Sequence, residues 1–408
     1  MRHLNRFFFV LFAVSSVPLV WSQQSAPLTL DEALARARTR APQILVAQQH
    51  IEEARGRLAG ASLRQQENPV IGSSIGPRFS PNGDTVDADV SLSQSFELGG
   101  RRASRIAGAR AGIERETATT QDVLRQLLRD VSIAFSKALG AKERLSFATG
   151  SSKIAGELFQ SMERRYRAGD VPILDVNLAR NSAARARADV GAAQAAYTSA
   201  IGDLKILLGM SNDEPLEVEG DLHDRRRFDL SSLMEKAGDR PDLRVLAAER
   251  EEAQADIRLG NGFRSPTIAP AFTYKRDQGD NVVQGGLSFT LPIFNRGQEL
   301  QAVGLARTRR IDQEIAATRR AVAVEVRTAY DVYNLEVAAV EELERDALPS
   351  LEENETLARR SFEEGEIGLA ELLLIRRDAL DLRTVYTERL LEAAVAGIEL
   401  ETRAGVLQ

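Results

Sequence analysis

The chain has 408 residues and no cysteine, and 53 Lys and Arg against 59 Asp and Glu leave a formal charge of -6. Without thiols there are no disulfides, thiolate metal sites or cysteine nucleophiles, and without a basic excess nucleic acid is not an expected partner. Three widely spaced histidines (His3, His50, His223) and 5% aromatic beside 27% charged residues suit long Ala, Leu, Arg and Glu-rich helices, so no enzyme, cofactor or metal site is expected.

Residues 1–22 place Arg2, His3 and Arg6 before the apolar run Phe7 to Trp21 and end in Val20-Trp21-Ser22, the layout of a secretory signal peptide. Ser15, Ser16 and Pro18 interrupt a run already shorter than the ~20 residues of a spanning helix. Beyond Gln23 there is no run of 18 or more apolar residues, so the mature chain can meet a membrane only with strands.

The first strand signal is a hairpin. Pro69 to Phe79 is followed, across Asn82-Gly83-Asp84, by a segment in which Val86, Ala88, Val90 and Leu92 alternate with Asp87, Asp89, Ser91 and Ser93. On an alternating strand the two aspartates point to a polar face, which makes them poor candidates for paired acid catalysis. Arg101 to Arg165 is then proline-free and carries Leu124, Leu128, Val131, Phe135 and Leu139 on one helical face. At ~1.5 Å per residue this helix approaches 100 Å, a coiled-coil dimension, although Gly108, Gly112, Gly140, Gly150 and Gly156 weaken it. A second proline-free stretch, Ile173 to Glu214, follows.

The same signals recur. Pro266 to Arg276 and Val283 to Leu291 form a second hairpin across Gln278-Gly279-Asp280-Asn281, and Phe294 to Leu348 is again proline-free, with Val322, Val326, Tyr330, Tyr333, Val337 and Val340 on one face. Pro42 matches Pro241 and Glu52-Glu53-Ala54 matches Glu251-Glu252-Ala253 at an offset of 199; Pro69 with Pro266 and Gly100 with Gly297 give 197; Arg164 with Arg360, Gly169 with Gly365 and Gly209 with Gly405 give 196. Two units, 23–212 and 213–408, are therefore expected to be copies of each other. A soluble sheet packed on helices would show the same strand alternation. If the strands instead span a membrane, four of them cannot close a barrel, which needs about eight or more, so two chains or three must share one, and a conducting polar lumen favours twelve strands.

These residues resemble the TolC-type outer membrane factors, and within them the branch serving heavy-metal cation exporters. The resemblance rests on Thr29-Leu30-Asp31-Glu32-Ala33-Leu34, on Gln94-Ser95-Phe96-Glu97-Leu98-Gly99-Gly100-Arg101-Arg102 and on Leu291-Pro292-Ile293-Phe294-Asn295-Arg296-Gly297. It also includes the turn Arg165-Tyr166-Arg167-Ala168-Gly169-Asp170-Val171-Pro172-Ile173-Leu174 and its counterpart Ser361-Phe362-Glu363-Glu364-Gly365-Glu366-Ile367-Gly368-Leu369. The resemblance implies a mainly α protein with a small β part. Long antiparallel coiled-coil helices would form an α-barrel, joined to a twelve-stranded transmembrane β-barrel shared by a homotrimer, four strands from each chain.

It further implies an exit duct in the outer membrane of a Gram-negative bacterium, in contact with outer membrane lipid. The duct would work with a periplasmic adaptor and an inner-membrane transporter of the resistance-nodulation-division class. Tyr166, Gly169, Asp170, Leu174, Phe362, Gly365, Glu366 and Ile367 would sit at the adaptor-docking tip, with Asp170 and Glu366 able to cap the helices that follow. Segments Leu28 to Arg40, Asn212 to Asp224 and Asp229 to Gly238 would form a belt around the tube. Glu366 and Glu371, in the more acidic second turn, are the candidate pore gate, where a ring of like charges would favour cations. Arg225-Arg226-Arg227 and Arg307 to Arg310 read as solvated surface or rim. A duct for polypeptide secretion and a periplasmic coiled-coil adaptor or structural protein are the competing readings; the second leaves the duplicated strand pairs without a purpose.

Overall fold

In the structure, a computed structural model that describes residues 27–81 and 83–407, Thr29 starts helix α1 (Leu30–Arg40) with a reciprocal cap. Its side chain accepts from the Glu32 amide while Glu32 accepts from the Thr29 amide. The expected signal peptide lies outside the described residues. Pro42 opens α2 (Pro42–Ala61), which leads into strands β1 (Val70–Arg78), β2 (Thr85–Ser93) and the short β3 (Phe96–Glu97), then helices α3 (Arg101–Arg167) and α4 (Ile173–Leu207). After a small helix α5 (Leu230–Ala237) the order repeats: α6 (Pro241–Gly262), β4 (Thr267–Asp277), β5 (Asp280–Thr290), α7 (Gln298–Glu342), a π-helical turn (Leu343–Ala347), α8 (Leu348–Glu363) and α9 (Leu369–Arg403). Gly99 and Gly297, both left-handed, end the strand pairs against the carbonyls of Gly262 and Gly260, where a side chain has no room.

The 67-residue α3 is unbroken despite its glycines. Tertiary contact outweighs local propensity: α2, α4, α6 and α9 all pack along it, and Gly140 lies under Leu391 and Leu222. The second hairpin departs from the expected continuous helix between Phe294 and Leu348. Pro349, lacking an N–H, falls in the first turn of α8, and the wider π turn before it absorbs the missing hydrogen bond.

All strand pairs are antiparallel. β1 pairs β2; β4 takes β2 and then β3 along one edge and β5 along the other, so β1 and β5 are the outer strands. Ile71, Ile75, Val86, Val90, Leu92, Phe272, Tyr274, Val283, Leu287 and Phe289 share one face, and all are exposed. Among the described residues no helix covers that face, which counts against a soluble sheet. On the other face Arg78 joins the two hairpins, donating to Asp87 at 2.7 Å and pairing with Asp277 at 2.5 Å, while Lys275 pairs with Asp277 at 2.8 Å and Ser74 with Asp89.

The main core lies midway, where Leu127, Leu128, Val131 and Phe135 of α3 meet α1, Leu204, Leu208, Val340 and Leu390. Leu28 bridges to Val218 at this core, and in a second cluster with Leu233, Val326 and Leu400, Phe228 packs edge-on against Tyr333, whose hydroxyl donates to the Arg226 carbonyl at 2.6 Å. Of the arginines read as solvated surface or rim, Arg226, Arg227, Arg309 and Arg310 are exposed, and several of the set also form ion pairs between elements. Arg226 meets Glu401 (3.0 Å), and Arg307 lies between Glu249 (3.3 Å), Glu252 (3.3 Å) and Asp256 (3.5 Å). Their partners are far away in sequence, so charge patterning alone did not reveal them.

Candidate functional site

Each helical hairpin turns over on a left-handed glycine. At the first tip Gly169 (φ +84°) donates to the Tyr166 carbonyl at 2.9 Å and the Asp170 amide to the Arg165 carbonyl at 2.9 Å; at the second Gly365 (φ +80°) donates to Phe362 at 3.2 Å and Glu366 to Ser361 at 2.7 Å. This is the C-terminal closure that satisfies the last orphan carbonyls of a helix, built twice. A side chain at either glycine would meet nothing within 4 Å, so the backbone angle, rather than space, requires glycine.

The acids after the glycines do not cap the next helices. The N-cap positions are Pro172 and Gly368, neither with a side-chain cap, because two residues intervene and a cap must stand directly before its helix. Glu366 braces its own turn instead, accepting from the Ser361 hydroxyl at 2.9 Å.

The fold brings the two tips together. Met162, Val176 and Ala179 of the first hairpin bury Leu369 of the second, with Phe362 and Leu373 packed against them, and Arg180 lies over the Phe159 ring at 5.5 Å. Phe362 is thus part of the joint between tips. Tyr166, Gly169, Asp170, Leu174, Gly365, Glu366 and Glu371 are exposed, while Ile367 is half-buried. The tips differ in charge: Arg164, Arg165 and Arg167 end α3, a favourable place for cations, whereas Glu363, Glu364, Glu366 and Glu371 surround the second turn.

Two features escaped the sequence reading. At the offset of 196 residues, Ala155, Ala179 and Ala186 of the first hairpin correspond to Leu351, Ile375 and Leu382 of the second. The alanines let α3 and α4 close up, whereas the larger side chains stand in the wall of a groove of about 650 Å³ between α8 and α9, with Ile367 also lining it. The alternation of alanine and leucine at matched positions was the available signal. The second feature is a clasp at the π turn. Glu344 accepts two 2.9 Å bonds from Arg225 and a 2.8 Å bond from Tyr386. Burial acts to raise the Glu344 carboxyl, but these donors outweigh it and hold it below its usual range; burial, then the Glu344 acceptor, push the Tyr386 phenol up.

Comparison with known proteins places these features in a family. The family model described as outer membrane efflux protein matches residues 33–210 and again 234–405. The chain is similar to the cobalt-zinc-cadmium resistance protein CzcC of Cupriavidus metallidurans, 26% identical over 376 residues covering 91% of this chain and 88% of that protein. Among solved structures it superposes on CusC with a TM-score of 0.75 at 18% identity, covering 92% of both chains. On the Campylobacter jejuni CmeC outer membrane channel the TM-score is 0.76 at 15% identity, covering 92% of this chain and 85% of that one.

Proposed function

We propose, since this chain belongs to the outer membrane efflux protein family, that it is the outer membrane exit duct of a three-component efflux pump. It conducts substrate passively from a periplasmic adaptor and an inner-membrane transporter, of the resistance-nodulation-division class, to the outside. The observation that carries the reading is the sheet, whose one face leaves Ile71, Ile75, Val90, Phe272 and Leu287 exposed beside a polar opposite face, with β1 and β5 as open outer strands. Three copies then supply twelve strands around a polar lumen, and their helical hairpins extend as an α-barrel to a periplasmic tip. The units 23–212 and 213–408 are the duplicated halves, interleaved into one body because β2 pairs with β4 and α3 packs on α6.

Heavy-metal cations are the proposed cargo, favoured over polypeptides by the likeness to a cobalt-zinc-cadmium resistance protein. No group of three or more His, Asp or Glu able to hold a metal ion occurs among the described residues, and a passive duct needs none. Docking of the adaptor at the paired tips is tested by replacing Gly169 and Gly365 together with valine. Each substitution forces a β-branched residue into the left-handed region, costing about 1–2 kcal/mol locally. Loss of zinc, cobalt and cadmium tolerance is expected, with the detergent-extracted protein still a trimer by mass. Full tolerance would remove the tips from the docking surface, and a monomeric wild type would remove the shared barrel.

At the gate, Glu366 and Glu371 form rings of like charge at the narrow end of the trimer. Glu366→Gln with Glu371→Gln keeps the acceptor that braces Ser361 while removing both charges. Reduced cation preference in planar-bilayer conductance is expected; unchanged selectivity would put these acids on the outer face.

A further inference from the structure

The polar face of the sheet is not uniform along its length. On β1, β2, β4 and β5 its charged residues, Arg78, Asp87, Asp89, Lys275, Asp277 and Asp280, all lie level with the Asp89–Lys275 pair or beyond it toward the hairpin turns. Toward the helices the same face carries Ser91 opposite Thr273, Thr273 opposite Gln284 and Ser288 opposite Ala269, without a charge. Helices α2 and α6 lead into the sheet, and α3 and α7 leave it, at that neutral end, so the turns stand at the end opposite the helices. In an exit duct that end is the mouth that opens to the outside.

Within the charged layer the partners are unequal. Arg78 reaches diagonally from β1 to Asp87 on β2, donating at 2.7 Å, and on to Asp277 of the second hairpin at 2.5 Å. Lys275 also turns to Asp277, at 2.8 Å, rather than to Asp89 opposite it. Asp87 accepts in addition from the Gln278 amide at 3.4 Å, which fastens the first hairpin to the second turn. Asp89 has the Ser74 hydroxyl for a partner, and Asp280 stands opposite Asp277. Four carboxylates thus share two cations, and Asp89 is paired with a neutral group. The side chains of Arg78, Asp87, Lys275 and Asp277 are 26–37% exposed, so they lie along the wall yet meet water.

We propose that this layer is a second charge-selective zone, at the outward mouth and separate from the acids of the periplasmic tip, in which Asp89 favours cations and Arg78 sets how strongly. The zone rests on the shared-barrel reading and deepens the cation reading of the cargo. Residues on the inner face of a barrel tune its selectivity because only water separates them from a passing ion, and the low-dielectric wall focuses the field of carboxylates in excess of cations. Arg78 weakens that field twice: it adds a positive charge, and it draws Asp87 and Asp277 to the wall as fixed pairs. Conduction needs a site attractive enough to enter and weak enough to leave. An arginine among the acids therefore keeps the exit from trapping a divalent cargo.

Recordings of the full chain in planar bilayers under a salt gradient test the zone. Arg78→Gln is expected to raise the cation-to-anion permeability ratio roughly twofold at about 0.03 M salt and to match wild type at about 1 M, where the Debye length shrinks to about 3 Å. It should also let zinc added on the mouth side block at lower concentration than in wild type. Asp89→Asn is expected to lower the ratio at low salt, and since it leaves the Arg78 pairs in place it reports even if Arg78→Gln fails to assemble. Arg78→Lys, which keeps the charge and loses the fork, should stay close to wild type. A change shared equally by Arg78→Gln and Arg78→Lys would make Arg78 a brace between hairpins and overturn its part in selectivity. Ratios at low salt unchanged in Arg78→Gln and in Asp89→Asn overturn the charged mouth while leaving the duct intact. A wild type without channel activity, or monomeric by mass, overturns the shared barrel and the mouth with it.

Discussion

Leu287→Arg is expected to prevent stable assembly in the outer membrane, whereas Ser288→Arg, one residue along the same strand, is expected to be tolerated. Leu287 is exposed on the apolar face of β5, opposite Pro270, and Ser288 belongs to the polar face, opposite Ala269. An arginine facing lipid near the middle of a barrel strand costs roughly 2–4 kcal/mol, and three copies in one barrel bring roughly 6–12 kcal/mol, comparable to the whole stability of many proteins. An arginine in a water-filled lumen keeps its hydration and adds only local charge. The check is the amount of heat-modifiable trimer in the outer membrane fraction. Equal yields of the two variants would mean that the exposed apolar face does not meet lipid.

Arg240→Ala should give a large loss of stability outside the sheet, about 1–3 kcal/mol, because it removes a buried guanidinium whose carboxylate partners are still partly reached by water. The Arg240 side chain is 8% exposed and donates to Asp242 (3.1 and 2.7 Å), to Glu325 (2.9 Å) and to the Arg403 carbonyl (3.1 Å). Burial acts against its charge, yet the two carboxylates hold the guanidinium above its ordinary pKa. Removing it leaves Asp242 and Glu325 without this cation and the Arg403 carbonyl without this donor. Arg125 fastens the same helix end from the other half through the Thr402 carbonyl at 2.9 Å, so the two arginines close the body across the repeat. Arg240→Lys should recover little, since a single ammonium cannot reproduce the forked contacts. Thermal unfolding in detergent measures the effect. A midpoint unchanged in Arg240→Ala would show that the network balances only its own desolvation.

Much of this protein is written locally. Alternation of Val86, Ala88, Val90 and Leu92 with polar residues sets a strand with two unlike faces, and the proline-free, apolar-striped stretches set the long helices, because both signals come from near neighbours in the chain. The left-handed closures at Gly169 and Gly365 are equally local, since a helix that closes through a left-handed residue favours glycine there. The recurrence of strand pair and long helical hairpin was legible because the two runs keep their spacing along the chain. What the tertiary structure alone decided depends on partners distant in sequence. α3 stays whole across its glycines because four helices press on it, while its counterpart opens into a π turn at Pro349 and is clasped by Arg225 and Tyr386 through Glu344. Glu366 turns back to Ser361 rather than forward to the next helix, because the helix start lies beyond the reach of its side chain. Sequence periodicity reports which face of an element is apolar; only the fold reports what, if anything, covers that face, and so distinguishes buried Leu127 on α3 from exposed Val324 on α7.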